Sequence, residues 1–536
     1  MQLEIQGLSF SYSDKKILDN ISLTISKGEF VTLCGKTGCG KTTFLRLLKR
    51  ELQPKGKLSG RILYNKIPLE MLDEKSSVFK IGFVMQNPDS QIITDKVYHE
   101  LAFGLESLGL DNATIKRKIA ETACYFGIED LFYKNIYELS GGQKQLLNLA
   151  TVTAMNPELM ILDEPTAQLD PIAREGFLNT LKKLNRDLSV TIIIAEHSLE
   201  DILTISDRLI ALEDGKIIYN ASPKMVCQTA KKSSHFFKAM PSAVRLSAPF
   251  LKENEPCPLS TKETVQYISE KLTFKPIEIP KRTHSKNVVL SLNDVSFRYR
   301  KDSADILHYL SLDLFENEIL FILGGNGAGK TTLLNTAAGL IKHRTGSIRI
   351  LGKKLSCYKD KTLYRNTLAL LPQDVKAVFA KDTVAEELSE TSASPDSYGF
   401  DISHLLEKHP YDLSGGEQQL CALIKILAGK PKILLLDEPT KGADSSMKQK
   451  IAENLLKLKE SGISMMIVSH DIEFASSCAD RCAMLFGGEL ISEGEPHEFF
   501  SQNSFYTTAV NKIMRGFDKR IISVDEAVSS LVWREK

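Results

Sequence analysis

Short apolar runs recur along this chain, and each gives way abruptly to glycine, acidic residues or histidine. Residues 30–33 and 319–323 are strand-like runs that lead into glycine-rich segments. Helical patterns follow, with Phe44, Leu45, Leu47 and Leu48 after the first and Leu333 and Leu334 after the second. Residues 159–162 and 433–436 have the unbroken apolar character of strands buried on both faces, and each ends in Asp-Glu. Two further apolar runs end at His197 and His470. This alternation of buried strands with helical patterns predicts an α/β architecture.

The pattern occurs twice. Tyr12 pairs with Tyr299, Lys41 with Lys330, Gln86 with Gln373, Glu164 with Glu438 and His197 with His470. The spacing is 287–289 positions up to the glutamines and 273–274 after them, so a whole domain is duplicated. The first copy carries the longer insert, with 53 positions from Gln86 to Leu139 against 40 from Gln373 to Leu413. The expected organisation is a first domain over residues 1–228, a linker over 229–286, a second domain over 287–504 and a tail over 505–536. Seven of the 19 prolines fall within residues 221–287, as expected of a surface linker. Ser260 to Glu263 reads as a capping box for one short helix there, with Val265, Ile268 and Leu272 at helical spacing. Residues 524–531 of the tail have helical character.

With 536 residues, 43% hydrophobic and 25% charged, the composition is that of a globular protein of several domains. Lys+Arg (68) nearly cancel Asp+Glu (67), which gives no sign of a nucleic-acid surface. The basic pieces at 231–238 and 281–286 read as solvated linker. Nine scattered cysteines form no paired CxxC set, which suggests a reducing compartment; Cys478 and Cys482 read as packing. The amino terminus lacks a signal pattern. The longest apolar runs fall short of the ~20 residues that span a bilayer, so any membrane role is expected to need other chains.

Two segments fit the pattern G-x-x-x-x-G-K-T. They are Gly35, Lys36, Thr37, Gly38, Cys39, Gly40, Lys41, Thr42 and Gly324, Gly325, Asn326, Gly327, Ala328, Gly329, Lys330, Thr331, followed by Thr43 and Thr332. Their glycines let backbone N–H groups converge on phosphate at the start of the following helix. Lys41 and Lys330 are expected to reach the β- and γ-phosphates, with Thr42 and Thr331 on Mg²⁺. Asp163 and Asp437 are expected to hold the magnesium's water shell, while Glu164 and Glu438 orient and polarise the attacking water. Cys39 reads as a small residue filling the loop, or as a reactive thiol at a helix start.

Ser140-Gly141-Gly142-Gln143 after Leu139, and Ser414-Gly415-Gly416-Glu417 after Leu413, narrow the choice among P-loop ATPases. Here the sequence strongly resembles the ATP-binding-cassette family over nearly the whole of both repeats. The resemblance implies two tandem P-loop NTPase domains, each a RecA-like α/β core with an antiparallel β subdomain and a helical subdomain. It also implies a head-to-tail pseudo-dimer within one chain, with each ATP between the cradle of one half and the LSGG of the other. The first site then uses Tyr12, Lys41, Thr42, Gln86, Asp163, Glu164 and His197 with Ser414, Gly415 and Gly416 opposite. The second uses Tyr299, Lys330, Thr331, Gln373, Asp437, Glu438 and His470 with Ser140, Gly141 and Gly142 opposite. In the family the tyrosines stack on adenine, the glutamine loops contact magnesium, and the histidines contact the γ-phosphate. Both halves hold the full set, so two competent sites are expected.

Gln86-Asn87-Pro88-Asp89-Ser90-Gln91, followed by Glu100-Leu101-Ala102-Phe103-Gly104, resembles the ATPases of energy-coupling-factor importers and their cobalt-type relatives. That resemblance implies a cytoplasmic ATPase on the inner face of the membrane. Its partners would be a transmembrane coupling subunit and a substrate-binding subunit, and its cargo a vitamin, vitamin precursor or metal ion. The alternative is a tandem-cassette ATPase acting on the ribosome or in DNA repair. Against it stand the prolines of the linker, which cannot make an uninterrupted helical hairpin, and the lack of zinc modules or sustained heptads.

Overall fold

In the computed structural model the apolar runs form two six-stranded sheets of one topology. The structure describes residues 2–534 apart from position 14 and residues 231–234, 253–254, 280–284, 359–361 and 390–401. Parts of both basic pieces therefore lie outside the described residues. The first sheet runs Lys216–Ala221, Arg208–Glu213, Phe30–Gly35, Thr191–Ala195, Leu159–Asp163 and Ile81–Val84. Its pairings are parallel except at the outer strand Lys216–Ala221. The second sheet repeats this order with Glu489–Gly494, Arg481–Phe486, Ile319–Leu323, Ser464–Ser469, Ile433–Asp437 and Leu368–Leu371. The central strands are buried along their whole length because other elements cover both faces, which is why they read as continuous apolar runs.

Each six-stranded sheet is accompanied by a four-stranded antiparallel sheet. One is built on Leu3–Tyr12 and Lys15–Ile25, the other on Val288–Phe297 and Leu307–Phe315. Helices make the remaining layer. Val97–Ser107 and Asn112–Phe126 pack on Gly141–Ala154 in the first repeat, and Val384–Ser389 packs on Gly415–Leu427 in the second. Each repeat is thus a P-loop α/β core with an antiparallel β subdomain and a helical subdomain. Among the described residues no helix is long and apolar enough to cross a membrane.

The chain divides into two units, Met1–Ser260 and Thr261–Lys536. Much of the proline-rich segment folds onto the units rather than running bare over them. Met240, Val244 and Cys257 are buried in the first unit's core, with prolines marking the turns between short helices. Helix Thr261–Lys271 forms where the capping pattern places it, although its buried residues are Thr264, Tyr267 and Ile268, and Leu272 opens a strand. That strand, Leu272–Phe274, pairs antiparallel with Leu531–Trp533 at the end of the tail, after the helix Val524–Ser529. Thr261–Lys271 also packs on Ala509–Met514.

One ion pair is repeated in both units, partly buried in the first and buried in the second, and joins the antiparallel sheet to the central one. Arg208 Nε lies 2.7 Å from Glu29 Oε1 while its Nη2 donates to the carbonyl of Thr24 at 2.6 Å. Arg481 donates through Nε and Nη2 to the two Glu318 oxygens at 2.8 and 3.1 Å, and it also meets Glu493 and the carbonyl of Asp313. Glu318 is fully buried. Removing one partner of such a pair leaves an uncompensated buried charge, at about 3–5 kcal/mol. Arg481→Met is therefore expected to lower the denaturation midpoint in guanidinium, and Glu318→Gln/Arg481→Met to cost less than Arg481→Met alone. An unchanged midpoint for Arg481→Met would show that the pair contributes no net stability.

Candidate functional site

The glycine loops follow the central strands and are shaped by close approach. A Cβ on Gly35 would lie 2.3 Å from the Leu212 carbonyl oxygen, and one on Gly324 would lie 2.4 Å from that of Leu485. Only glycine allows the loop to sit this near the neighbouring strand. Lys41 Nζ then reaches back across its loop and donates to the carbonyls of Gly35 and Lys36 at 2.9 and 3.2 Å. Lys330 Nζ does the same to Gly324 and Gly325 at 2.9 and 3.0 Å. Both lysines are buried, and each loop carries an ammonium at the centre of its curl.

The strand-end carboxylates lie within the charge of these lysines. In the first unit Glu164 Oε1 lies 3.7 Å from Lys41 Nζ and 2.7 Å from His197 Nε2, and Gln86 Nε2 donates to its other oxygen at 2.7 Å. Thr42 Oγ1 donates to Asp163 Oδ1 at 3.1 Å. In the second unit His470 Nδ1 lies 2.8 Å from Glu438 Oε1, and Ser469 Oγ donates to Oε2 at 3.0 Å. Among the described residues Gln373, which is exposed, makes no bond matching that of Gln86. Both glutamates have left-handed φ angles, +47° and +49°. Such strain in a non-glycine residue persists where surrounding bonds over-determine it.

Burial and the neighbouring glutamate charge push Asp163 up to about 6. Burial likewise pushes Asp437 up to about 6, opposed by the Thr331 hydroxyl and aided by the Glu438 charge. Burial would also raise Glu164, but the hydrogen bond and charge of His197, with Lys41, hold it below the ordinary carboxylate range. Glu438 is held low against burial by His470 and Lys330. His470 is raised despite burial, because the Glu438 carboxylate faces it. Each unit thus holds two adjacent buried carboxylates with a hydroxyl beside the first. An all-oxygen set of hydroxyl, carboxylate and side-chain amide fits a hard divalent cation such as magnesium.

Tyr12 and Tyr299 bring their hydroxyls to 3.5 Å from Thr43 Oγ1 and 3.1 Å from Thr332 Oγ1, with their rings edge-on to Phe10 and Phe297. Ser140 opens helix Gly141–Ala154 in a capping box with Gln143, and Ser414 opens Gly415–Leu427 with Glu417. Among the described residues, the side chains of Ser140 and Gln143 bond to each other's backbone and not to Lys41, Asp163 or Glu164 of the same unit. Gly142 instead approaches Leu169 and Ala173, beyond the catalytic turn. Cys39 is buried, and burial pushes its thiol up against the opposing charge of Lys41.

Two groups stand out that the motifs do not flag. Glu196 is buried beside His197, and burial pushes its carboxyl up to about 7. Gln145 and Gln419 donate to the carbonyls of Met85 and Glu438 at 3.1 and 3.2 Å. The signal for Glu196 was its place in Ala195-Glu196-His197, where the second repeat has Val468-Ser469-His470.

A family model described as ABC transporter matches residues 18–167 and 307–441. A Bacillus anthracis chain named as an ABC transporter ATP-binding protein is 40% identical over 529 residues, covering 96% of this chain and 95% of that one. A Bacillus subtilis chain named as an HMP/thiamine import ATP-binding protein is 32% identical, covering 94% and 93%. The solved structure of cbiO1 from Clostridium perfringens, titled as part of the ABC transporter complex cbiONQ, is 32% identical with a TM-score of 0.39, covering 42% of this chain and 89% of that one. The chain belongs to the ABC transporter family, as an ATP-hydrolysing subunit that carries two ATP-binding cassettes in one polypeptide.

Proposed function

We propose that this ATPase drives a membrane importer for a vitamin, vitamin precursor or metal ion. It would be held on the inner face of the membrane by a transmembrane coupling subunit working with a separate substrate-binding subunit. The observation that carries the reading is the match along nearly the whole chain to a relative named for HMP/thiamine import. The segment after Gln86 supports it. Asn87 caps a short turn over Pro88–Ser90, Asp89 pairs with Lys144 at 2.6 Å, and Asn148 donates to the Pro88 carbonyl at 3.2 Å. Gln91 accepts from the Met85 N–H at 2.9 Å and donates to the Phe83 carbonyl at 3.0 Å. These bonds make a folded brace between the strand that leads to Gln86 and the helix that begins at Ser140.

In the proposed cycle Lys41 and Lys330 exchange loop carbonyls for the β- and γ-phosphates of ATP. Glu164 and Glu438 orient the attacking water, and His197 and His470 contact the γ-phosphate. Thr42, Asp163 and Gln86, with Thr331, Asp437 and Gln373, would hold magnesium, which supplies neutralisation of phosphate charge. Each nucleotide is gripped by one cassette and covered by Ser414–Gly416 or Ser140–Gly142 of the other, so two ATP close the pair and hydrolysis reopens it. The Gln86 and Gln373 loops pass that motion to the membrane subunit. Only the first carries the Asn-Pro-Asp brace, so the two halves would seat different parts of the partner.

Glu164→Gln and Glu438→Gln, made singly in the intact complex, are each expected to reduce ATP turnover, by about 10²–10⁴-fold at the altered site. Turnover untouched by one change would remove that site from the mechanism. Purification of the chain from membranes is expected to bring integral-membrane subunits with it. Recovery with ribosomes instead would overturn the transport reading.

A further inference from the structure

The two histidine-bearing strands end differently, and the difference reaches the catalytic turns. In the first unit the residue before His197 is Glu196, buried to 3% exposure. Its Oε1 accepts from both the N–H and the hydroxyl of Thr166, at 3.1 and 2.8 Å. Thr166 lies two residues beyond Glu164, whose own N–H donates to the Ala195 carbonyl at 3.0 Å. Three hydrogen bonds therefore hang the strained Glu164 turn from the end of one strand, and Glu196 accepts two of them. Arg174 supplies the compensating charge nearby, while its Nη2 donates to the Ser198 carbonyl at 2.9 Å.

The second unit solves the same problem in another way. Glu438 N–H donates to the Val468 carbonyl at 3.0 Å, as in the first. Ser469, in the place of Glu196, is too short to act as a carboxylate clamp and donates its hydroxyl to the Glu438 side chain itself. The cation at the Arg174 position is Lys448, and it pairs with Asp471 at 2.6 Å. The first cassette thus adds a hold on the backbone behind its catalytic glutamate, where the second adds a hydroxyl to the carboxylate.

We propose that Glu196 is a positioning residue for hydrolysis at the first site, holding the Glu164 turn in register with His197 through Thr166, an arrangement the second site lacks. The inference rests on Glu164 acting in hydrolysis. A carboxylate held off its geometry by a fraction of an ångström costs rate rather than nucleotide affinity, because the phosphates are gripped by the Lys41 loop.

The test uses the full chain in its complex and reads kcat, ATP affinity from equilibrium binding, and the melting midpoint. Glu196→Ala is expected to lower kcat to half or less with ATP affinity within twofold of wild type. Glu196→Gln, which keeps the acceptor for both Thr166 donors, is expected to restore most of the loss. Thr166→Val removes the hydroxyl alone and should fall between them, and it carries the test with Glu196→Gln if Glu196→Ala fails to fold. Wild-type kcat in both Glu196→Ala and Thr166→Val, a parallel loss of ATP affinity, or failure of Glu196→Gln to rescue would overturn the proposal. Glu164→Gln in the same series separates the two readings. If it leaves turnover intact the catalytic assignment itself fails, whereas if it reduces turnover while Glu196→Ala does not, only the positioning role fails.

Discussion

An ammonium group taken out of water must keep its hydrogen bonds and find an opposite charge, and the loops around Lys41 and Lys330 are built on that requirement. The glycines bring backbone carbonyls within reach of each Nζ. The neighbouring strand delivers a histidine, and the next delivers the carboxylate that this histidine meets. Parallel pairing of these strands puts all three groups at one edge of the sheet. A triphosphate entering such a site replaces loop carbonyls with phosphate oxygens around a charge that is already desolvated, so little reorganisation is needed at the moment of reaction.

The bonds around the catalytic glutamates also give each site a mechanical connection. In the first cassette Glu164 is tied to Gln86, and the segment after Gln86 is tied through Asp89 and Pro88 to the helix behind Ser140. In the second, Gln373 is not tied to Glu438, and the corresponding region is anchored by Lys425, which meets Glu387 and donates to the Val378 carbonyl at 2.8 Å. Thr151 occupies the place of Lys425 in the first cassette, by the spacing of the repeats. Helix and nucleotide site meet in the second cassette through Gln419, which donates to the Glu438 carbonyl at 3.2 Å, so the two linkages differ.

What could be read from the sequence follows from how local each determinant is. The cradles, the Asp-Glu strand ends and the helix starts at Ser140 and Ser414 are set by neighbours within a few positions, and the structure places them in the elements that their patterns describe. The pairing of Leu272–Phe274 with Leu531–Trp533 joins segments about half the chain apart, and no local pattern announces it. The proline-rich stretch illustrates the opposite difficulty. Its prolines mark breaks in helices, but whether Val244 or Cys257 is buried depends on a core laid down elsewhere. Glu196 was hidden for a third reason: its partner Thr166 is thirty positions away, and the contrast of glutamate with the serine of the second repeat does not name that partner.

The central claim is that both lysine–carboxylate–histidine clusters are ATP sites that release their nucleotide by hydrolysis. Counting the Mg·ATP retained per chain by the Glu164→Gln/Glu438→Gln double variant in its complex, after rapid removal of free nucleotide, tests this directly. The account predicts two unhydrolysed ATP per chain; one or none would contradict it.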